Sequence, residues 1–290
     1  MDFLETVKSK DVFLLDGAIG TELDKRGLMG RGGNNLDHPE IVLEIQKEYV
    51  QSGSDALTTN TLTMNRIYIE SHNVDVSVKD VNRAGVKIAR EAAGPEKFVL
   101  GNLSSTGQML EPYGTYTEQQ FCDTFKEQAE ILAEAGVDGF LIETMFDLRE
   151  SLCALRSCKD IGSDAVIASI AFATEQNGGR TIMGDAAGQC AKRLTDEGAD
   201  IVGANCGDLD PSQTAAVVSF FREATSLPIL AQPNAGRPKL IDDKTVFEMT
   251  PEPFAEGIAK CIQAGAKVVG GCCGTTPEHI RAVAQMLKKR

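Results

Sequence analysis

Ala135-Gly136-Val137-Asp138 runs directly into Gly139-Phe140-Leu141-Ile142, so that a glycine closes an amphipathic stretch and a short, wholly apolar run follows at once. A glycine past the last helical turn takes the left-handed cap conformation and lets the chain turn straight into a strand. The same punctuation recurs in Ser52-Gly53-Ser54-Asp55, Glu197-Gly198-Ala199-Asp200 and, with a lysine last, Ala264-Gly265-Ala266-Lys267. A run that is apolar throughout, rather than at alternate positions, belongs to a strand covered on both faces, as in a parallel sheet.

Outward from that stretch, comparable apolar runs stand at Val12–Leu15, Ala56–Thr59, Phe98–Gly101, Gly139–Ile142, Ala165–Ala168, Ile201–Ala204, Pro228–Ala231 and Lys267–Gly270. Between them, Pro39–Gly53, Glu118–Gly136, Leu148–Gly162, Ala186–Gly198, Ser212–Ala224 and Pro251–Gly265 carry helix spacing and stop signals. Eight strand–helix units make a (β/α)8 TIM barrel of the α/β class the most economical topology, with function at the C-terminal ends of the strands. An open doubly wound sheet is the alternative, but it does not need eight units. No Pro- or Ser-rich linker interrupts the pattern, so residues 1–290 read as one domain.

With 29 basic and 42 acidic residues the net charge is −13. Such a chain repels nucleic acid and anionic membrane surfaces unless a basic run intervenes, and none does. No apolar run approaches the roughly 18 residues of a membrane span, and Met1–Thr6 lacks a basic segment followed by an apolar one. The expectation is a soluble, cytoplasmic protein.

Eight cysteines in a reducing compartment read as ligands, thiols or small buried residues rather than as a disulfide framework. Cys122, Cys153, Cys158, Cys190 and Cys261 fall in helical patterns and read as core residues. Cys272 and Cys273, in Gly270-Gly271-Cys272-Cys273-Gly274-Thr275-Thr276-Pro277, stand at the end of the last strand, and Cys206 ends the sixth in Gly203-Ala204-Asn205-Cys206. Three thiolates suit Zn2+ and leave one tetrahedral position for a ligand, the arrangement of a catalytic rather than a closed site. Asp16, Asn60, Glu143 and Asn234 likewise stand after apolar runs. The competing readings are a strained disulfide between Cys272 and Cys273, a phosphate site on the same glycines, and Asp16, Glu143 and Asn234 as turn formers or backbone acceptors.

Leu15-Asp16-Gly17-Ala18-Ile19-Gly20-Thr21-Glu22-Leu23, Thr59-Asn60-Thr61, Ile142-Glu143-Thr144-Met145-Phe146-Asp147, Gly203-Ala204-Asn205-Cys206, Pro233-Asn234-Ala235-Gly236 and Gly270 through His279 resemble the zinc-dependent homocysteine S-methyltransferases. Among them the resemblance is nearest to the homocysteine-binding domain of cobalamin-dependent methionine synthase, and it spans nearly the whole chain. It implies a Zn2+ on Cys206, Cys272 and Cys273, with Asn234 beside the vacant metal position as a weak fourth ligand. It also implies that Asp16 and Glu143 hold the substrate's amino group, and backbone amides from Ala18 through Ile19 to Gly20 would suit its carboxylate. A thiol bound to Zn2+ loses its proton and becomes the nucleophile.

The chain departs from the pattern after the third strand, where Gly101-Asn102-Leu103 replaces a usual Gly-Pro pair, and after the second, where Leu62 follows the threonine instead of phenylalanine. Those loops belong to the substrate side, so a thiol other than homocysteine is an alternative. For the donor, the resemblance favours methylcobalamin on a separate corrinoid protein, since no folate barrel or cobalamin domain is read in the chain. A small onium donor, betaine or S-methylmethionine, is the alternative, and a non-catalytic zinc-bound assembly subunit is a remoter one.

Overall fold

The structure, a computed structural model, describes residues 2–29, 31–241 and 244–289. Eight parallel strands, β1 (Phe13–Leu14), β2 (Ala56–Thr58), β3 (Phe98–Leu103), β4 (Gly139–Met145), β5 (Val166–Ile170), β6 (Ile201–Asn205), β7 (Ile229–Gln232) and β10 (Ala266–Val269), lie in the order β1-β10-β7-β6-β5-β4-β3-β2. A separate antiparallel hairpin, β8 (Lys239–Ile241) with β9 (Lys244–Val246), rises from the loop after β7. The sequence reading contains no such hairpin, because its strands are short and exposed and do not carry the apolar runs of the barrel.

The two ends of that strand order meet. The Asp55 N–H donates to the Leu14 carbonyl at 2.7 Å, and the Asp55 carboxylate accepts from the Leu14 N–H at 3.0 Å. Further along, the Asp16 carboxylate accepts from the Thr58 N–H at 2.8 Å. Side chains thus supplement a backbone bond at this seam, and the eight strands form the (β/α)8 barrel that the alternation of runs predicts.

The interior of the barrel is filled by one residue or more from each strand, including Phe13, Ala56, Leu100, Leu141, Ile167, Ile201, Leu230 and Val268. Helix Phe3–Ser9 plugs the end where the strands begin, with Phe3 and Val7 buried and the Phe3 ring edge-on to Phe13 and Phe98 at 5.4 and 5.5 Å. A helix of seven residues is not stable by itself. Burying Phe3 contributes about 1.5–3 kcal/mol and docks it. A second, larger core separates the strands from the outer helices.

The glycines of the repeated phrase behave as read: Gly53, Gly136, Gly198 and Gly265 have φ of 108°, 96°, 95° and 116°. The aspartates two residues on have a purpose the sequence reading left aside. Asp138 accepts from the Val99 N–H at 2.7 Å and Asp200 from the Val166 N–H at 2.8 Å, as Asp55 does from Leu14, so each ties the start of one strand to the strand before it. Each carboxylate also meets a cation, Lys10, Arg90 or Lys159 respectively for Asp55, Asp138 and Asp200.

Two barrel helices, Val78–Ala93 and Pro277–Leu287, lie outside the six segments read from stop signals. The first is closed by Gly94, with φ of 61°, before β3; the second has no strand after it. No helix among the described residues is long and apolar enough to cross a membrane.

Candidate functional site

At the C-terminal ends of the strands a cavity of about 260 Å³ is lined by residues from seven strand ends, among them Asp16, Asn60, Asn102, Glu143, Cys206, Gln232, Cys272 and Cys273. Residues more than 250 positions apart in sequence are neighbours there because the first and last strands adjoin. The Tyr49 hydroxyl secures that junction, 2.8 Å from the Ala18 carbonyl and 3.2 Å from that of Thr275. Gly17 is obligatory beside it, since a Cβ would lie 2.8 Å from both the Tyr49 ring and Thr275 Oγ1.

The cysteines converge from two loops. Cys206 follows β6 with φ of 55°, and Gly207 follows with φ of 67°, a sharp turn in which a Cβ on Gly207 would lie 2.2 Å from the Phe172 carbonyl oxygen. A left-handed non-glycine residue costs about 1–3 kcal/mol, which surrounding bonds must hold. The Cys206 N–H donates to Gln232 O at 3.2 Å, and the Cys272 N–H donates to Pro233 O at 2.9 Å.

The three Sγ atoms lie within 4.8 Å of one another, with Cys206 and Cys273 3.9 Å apart. A tetrahedral zinc with Zn–S of about 2.3 Å sets its sulfurs about 3.8 Å apart. The spacing therefore fits that ion. Hydrogen bonds to Cys206 and Cys273, then burial, hold the Cys272 thiol well above its ordinary range. At Cys206 a hydrogen bond with Cys272 pulls down, but the bond with Cys273 and burial outweigh it and raise the thiol. Thiols so disfavoured as free thiolates need a cation to deprotonate them.

Asn234 lies beside this cluster. Its Nδ2 donates to the Gly207 carbonyl at 2.8 Å, the next residue donates to Cys273 O at 2.9 Å, and its Oδ1 is buried without a partner. Asn234 does not itself line the cavity.

The two acids are in the cavity. Burial pushes Asp16 up to about 8, opposed by the hydrogen bond from the Thr58 backbone and reinforced by the nearby Glu143. Glu143 is pushed up to about 7, first by burial, against the hydrogen bond from Asn102 and with the charge of Cys273. The sequence reading sets Glu143 after the fourth strand. The structure places it inside β4, which continues to Met145 through an irregular register between Ile142 and Met145 and a left-handed Thr144 with φ of 58°. Ala18, Ile19 and Gly20 line the cavity too. The Ala18 N–H is already taken by Thr275 Oγ1 at 3.1 Å, which leaves Ile19 and Gly20 at the start of helix Gly20–Lys25 for an anionic group.

Two site residues escaped the sequence reading. Asn205 was quoted only as part of a phrase, yet its Oδ1 accepts from the Thr144 N–H at 2.9 Å and Ser169 Oγ at 2.7 Å. Its Nδ2 reaches Thr144 Oγ1 at 2.9 Å, Glu143 at 3.4 Å and Cys272 Sγ at 3.7 Å. It connects the strained Thr144 to the acid and to the thiol cluster. Asn102, noted only as a departure, donates from Nδ2 to Glu143 Oε1 at 2.6 Å.

Among the described residues the exposed large hydrophobic side chains are Met29 and Leu36 after β1, Met109 and Tyr113 after β3, Ile182 after β5, and Leu240 and Ile241 after β7. All stand in connections that follow barrel strands, Leu36 in the short helix Asn34–Asp37 and Leu240 and Ile241 in β8.

A family profile described as homocysteine S-methyltransferase matches residues 13–287. The methionine synthases of Mycobacterium leprae (strain TN) and Mycobacterium tuberculosis (strain ATCC 25618 / H37Rv) are 29% and 30% identical over 301 and 296 residues, 98% and 96% of this chain. The chain spans only 25% of the length of either relative. The crystal structure of the metallated form of the homocysteine methyltransferase MmuM from Escherichia coli shares the fold, with a TM-score of 0.80, 20% identity, and coverage of 97% of this chain and 98% of that one.

Proposed function

The chain belongs to the homocysteine S-methyltransferase family, and from that premise we propose that it methylates the sulfur of homocysteine to give methionine, using zinc held by Cys206, Cys272 and Cys273 and a methyl group brought by methylcobalamin on a corrinoid protein. The observation that carries the reading is the convergence of three Sγ atoms within 4.8 Å in the same cavity as the carboxyl groups of Asp16 and Glu143. One set of groups suits a thiol and the other an ammonium, at the two ends of one small amino acid.

Zn2+ on three thiolates supplies a fourth position where a substrate thiol loses its proton and keeps its electron density as a nucleophile. This chain's residues do the rest. Asp16, buried, and Glu143, half-buried, accept the ammonium group, whose charge favours their ionised form against the burial that raises both. The N–H groups of Ile19 and Gly20 take the carboxylate. Asn234, whose Oδ1 is buried without a partner, would offer the ion a weak fourth ligand. Transfer is then a displacement at the methyl carbon: the sulfur–carbon bond forms as the bond from carbon to the donor breaks, and the electron pair leaves with the donor.

A cavity of about 260 Å³ holds an amino acid and excludes a corrinoid ring. A corrinoid-borne methyl must therefore arrive on a protein docked over the mouth. The apolar side chains exposed in the connections after four of the strands support a macromolecular donor, since exposed large hydrophobics grouped on one face mark an interaction surface.

The test compares donors with the zinc-loaded protein and homocysteine. Free methylcobalamin should support slow methionine formation and a methylated corrinoid protein much faster formation, because orientation is supplied only in the docked encounter. Brisk turnover with betaine or S-methylmethionine, and none with any methylcorrinoid, would replace the proposed donor. Full zinc content in Cys206→Ala would remove that cysteine from the site.

A further inference from the structure

Asn102 is 4% exposed, lies in β3, and lines the same cavity as Asp16 and Glu143. Its backbone is fully engaged: the N–H donates to Thr59 Oγ1 at 2.9 Å and the carbonyl accepts from Thr61 Oγ1 at 2.7 Å. These bonds hold the side chain at a fixed place on the cavity wall. At one end of the side chain, Nδ2 donates to Glu143 Oε1 at 2.6 Å. At the other end, Oδ1 is buried and has no hydrogen-bond partner.

A buried amide oxygen without a donor loses its hydration with nothing in return, and native structures seldom retain one without a reason. The acceptor at Glu143 fixes which end of the amide is the donor, so the orphaned atom is the oxygen. What it lacks is an N–H or O–H. Asp16 and Glu143, on the same part of the cavity, are acceptors once ionised, and a cation beside them favours that form. A cluster of acceptors in a buried pocket suits a ligand group with several donors and a positive charge, which an ammonium is and a hydroxyl or carboxylate is not.

We propose that Asn102 is a specificity-determining residue for the substrate's ammonium group: its Oδ1 accepts one ammonium N–H, while its Nδ2 holds the Glu143 carboxylate in place to accept another. The inference rests on the reading of homocysteine as substrate and adds a third recognition element to the two acids. Gln232, whose Oε1 is also buried without a partner on the cavity wall, belongs to the same acceptor-rich lining.

Calorimetric titration of the zinc-loaded protein with homocysteine and with 4-mercaptobutanoate, the same thiol acid without the amino group, tests the assignment. Asn102→Leu keeps the size and removes both amide functions, and Asn102→Ser is the smaller variant should leucine not be accommodated. In either, homocysteine affinity should fall roughly ten- to hundredfold, the scale of hydrogen bonds to a charged group, and affinity for 4-mercaptobutanoate should stay within about twofold. Equal losses for both thiols, or no loss for either, overturn the proposal. Wild-type protein that fails to prefer homocysteine over 4-mercaptobutanoate overturns the substrate reading itself, a result visible before any variant is made.

Discussion

Glu150 offers a test of the protein's energetics that does not depend on metal or substrate. It lies on the inner side of helix Leu148–Asp160, fully buried, and accepts from the Thr106 N–H at 2.7 Å, Thr106 Oγ1 at 2.8 Å and Ser105 Oγ at 2.9 Å. Burial pushes its carboxyl up to about 7 from 4.5, against those hydrogen bonds and with the help of Asp147. Between these two values the folded protein keeps a proton that the unfolded chain has released. Stability is therefore greatest below about 4.5, falls as pH rises through about 7, and levels off above. At about 1.4 kcal/mol per pKa unit the loss is about 3 kcal/mol. Glu150→Gln keeps an oxygen for Thr106 and cannot ionise. Urea unfolding at pH 5 and pH 8 should show the variant close to wild type at the lower pH and about 2–3 kcal/mol more stable at the higher. A stability difference of the same size at both pH values would refute the argument, as would a variant less stable than wild type at pH 8.

Other perturbations address the fold, the metal site and the donor. Asp138→Ala leaves the Val99 N–H without its acceptor at 2.7 Å and Arg90 with the Gly136 carbonyl but no carboxylate; thermal or urea unfolding should show a loss of about 1–3 kcal/mol. Gly207→Ala drives a Cβ to 2.2 Å from the Phe172 carbonyl oxygen at a residue with φ of 67°, so Cys206 must shift, and zinc content per chain should fall even where circular dichroism shows a folded barrel. Ile182→Ser and Leu240→Ser, at side chains 75% and 74% exposed, should slow transfer from a methylated corrinoid protein and leave turnover with free methylcobalamin unchanged; equal rates with the protein donor would mean that it docks elsewhere.

The barrel was legible because its cause is local. Each apolar run and each glycine such as Gly136 acts within a few residues, and the eight runs reappear as eight strands. Helix Val78–Ala93 lies outside the segments read although Gly94 caps it, and Pro277–Leu287 is the last element, with no strand after it to mark its end. The Gly-x-Asp aspartates carry no role in the sequence for a different reason. Asp138 and Asp200 find their N–H donors on the preceding strand, a relation that exists only once the sheet is assembled. The same holds in the pocket. Cys206, Cys272 and Cys273 announce themselves by residue type, and Asp16 and Glu143 by position. Asn205 and Asn102 look like ordinary strand polar residues until Thr144, Glu143 and Cys272 stand around them.

The division of labour between the barrel's ends has a physical origin in these bonds. Where the strands begin, polar groups are paired: Asp55, Asp138 and Asp200 each accept a backbone N–H and meet a cation, and Phe3 and Val7 close the interior. Where the strands end, the same chain tolerates left-handed Thr144 and Cys206, orphaned oxygens on Asn102, Gln232 and Asn234, and two carboxylates held far from their ordinary range. Each of these costs stability, and the paired, plugged end compensates for them. Asp16 belongs to both accounts, since its carboxylate joins β1 to β2 through the Thr58 N–H while facing the cavity. The seam of the barrel and the pocket for the substrate therefore share one residue, which ties closure of the strands to the geometry of recognition.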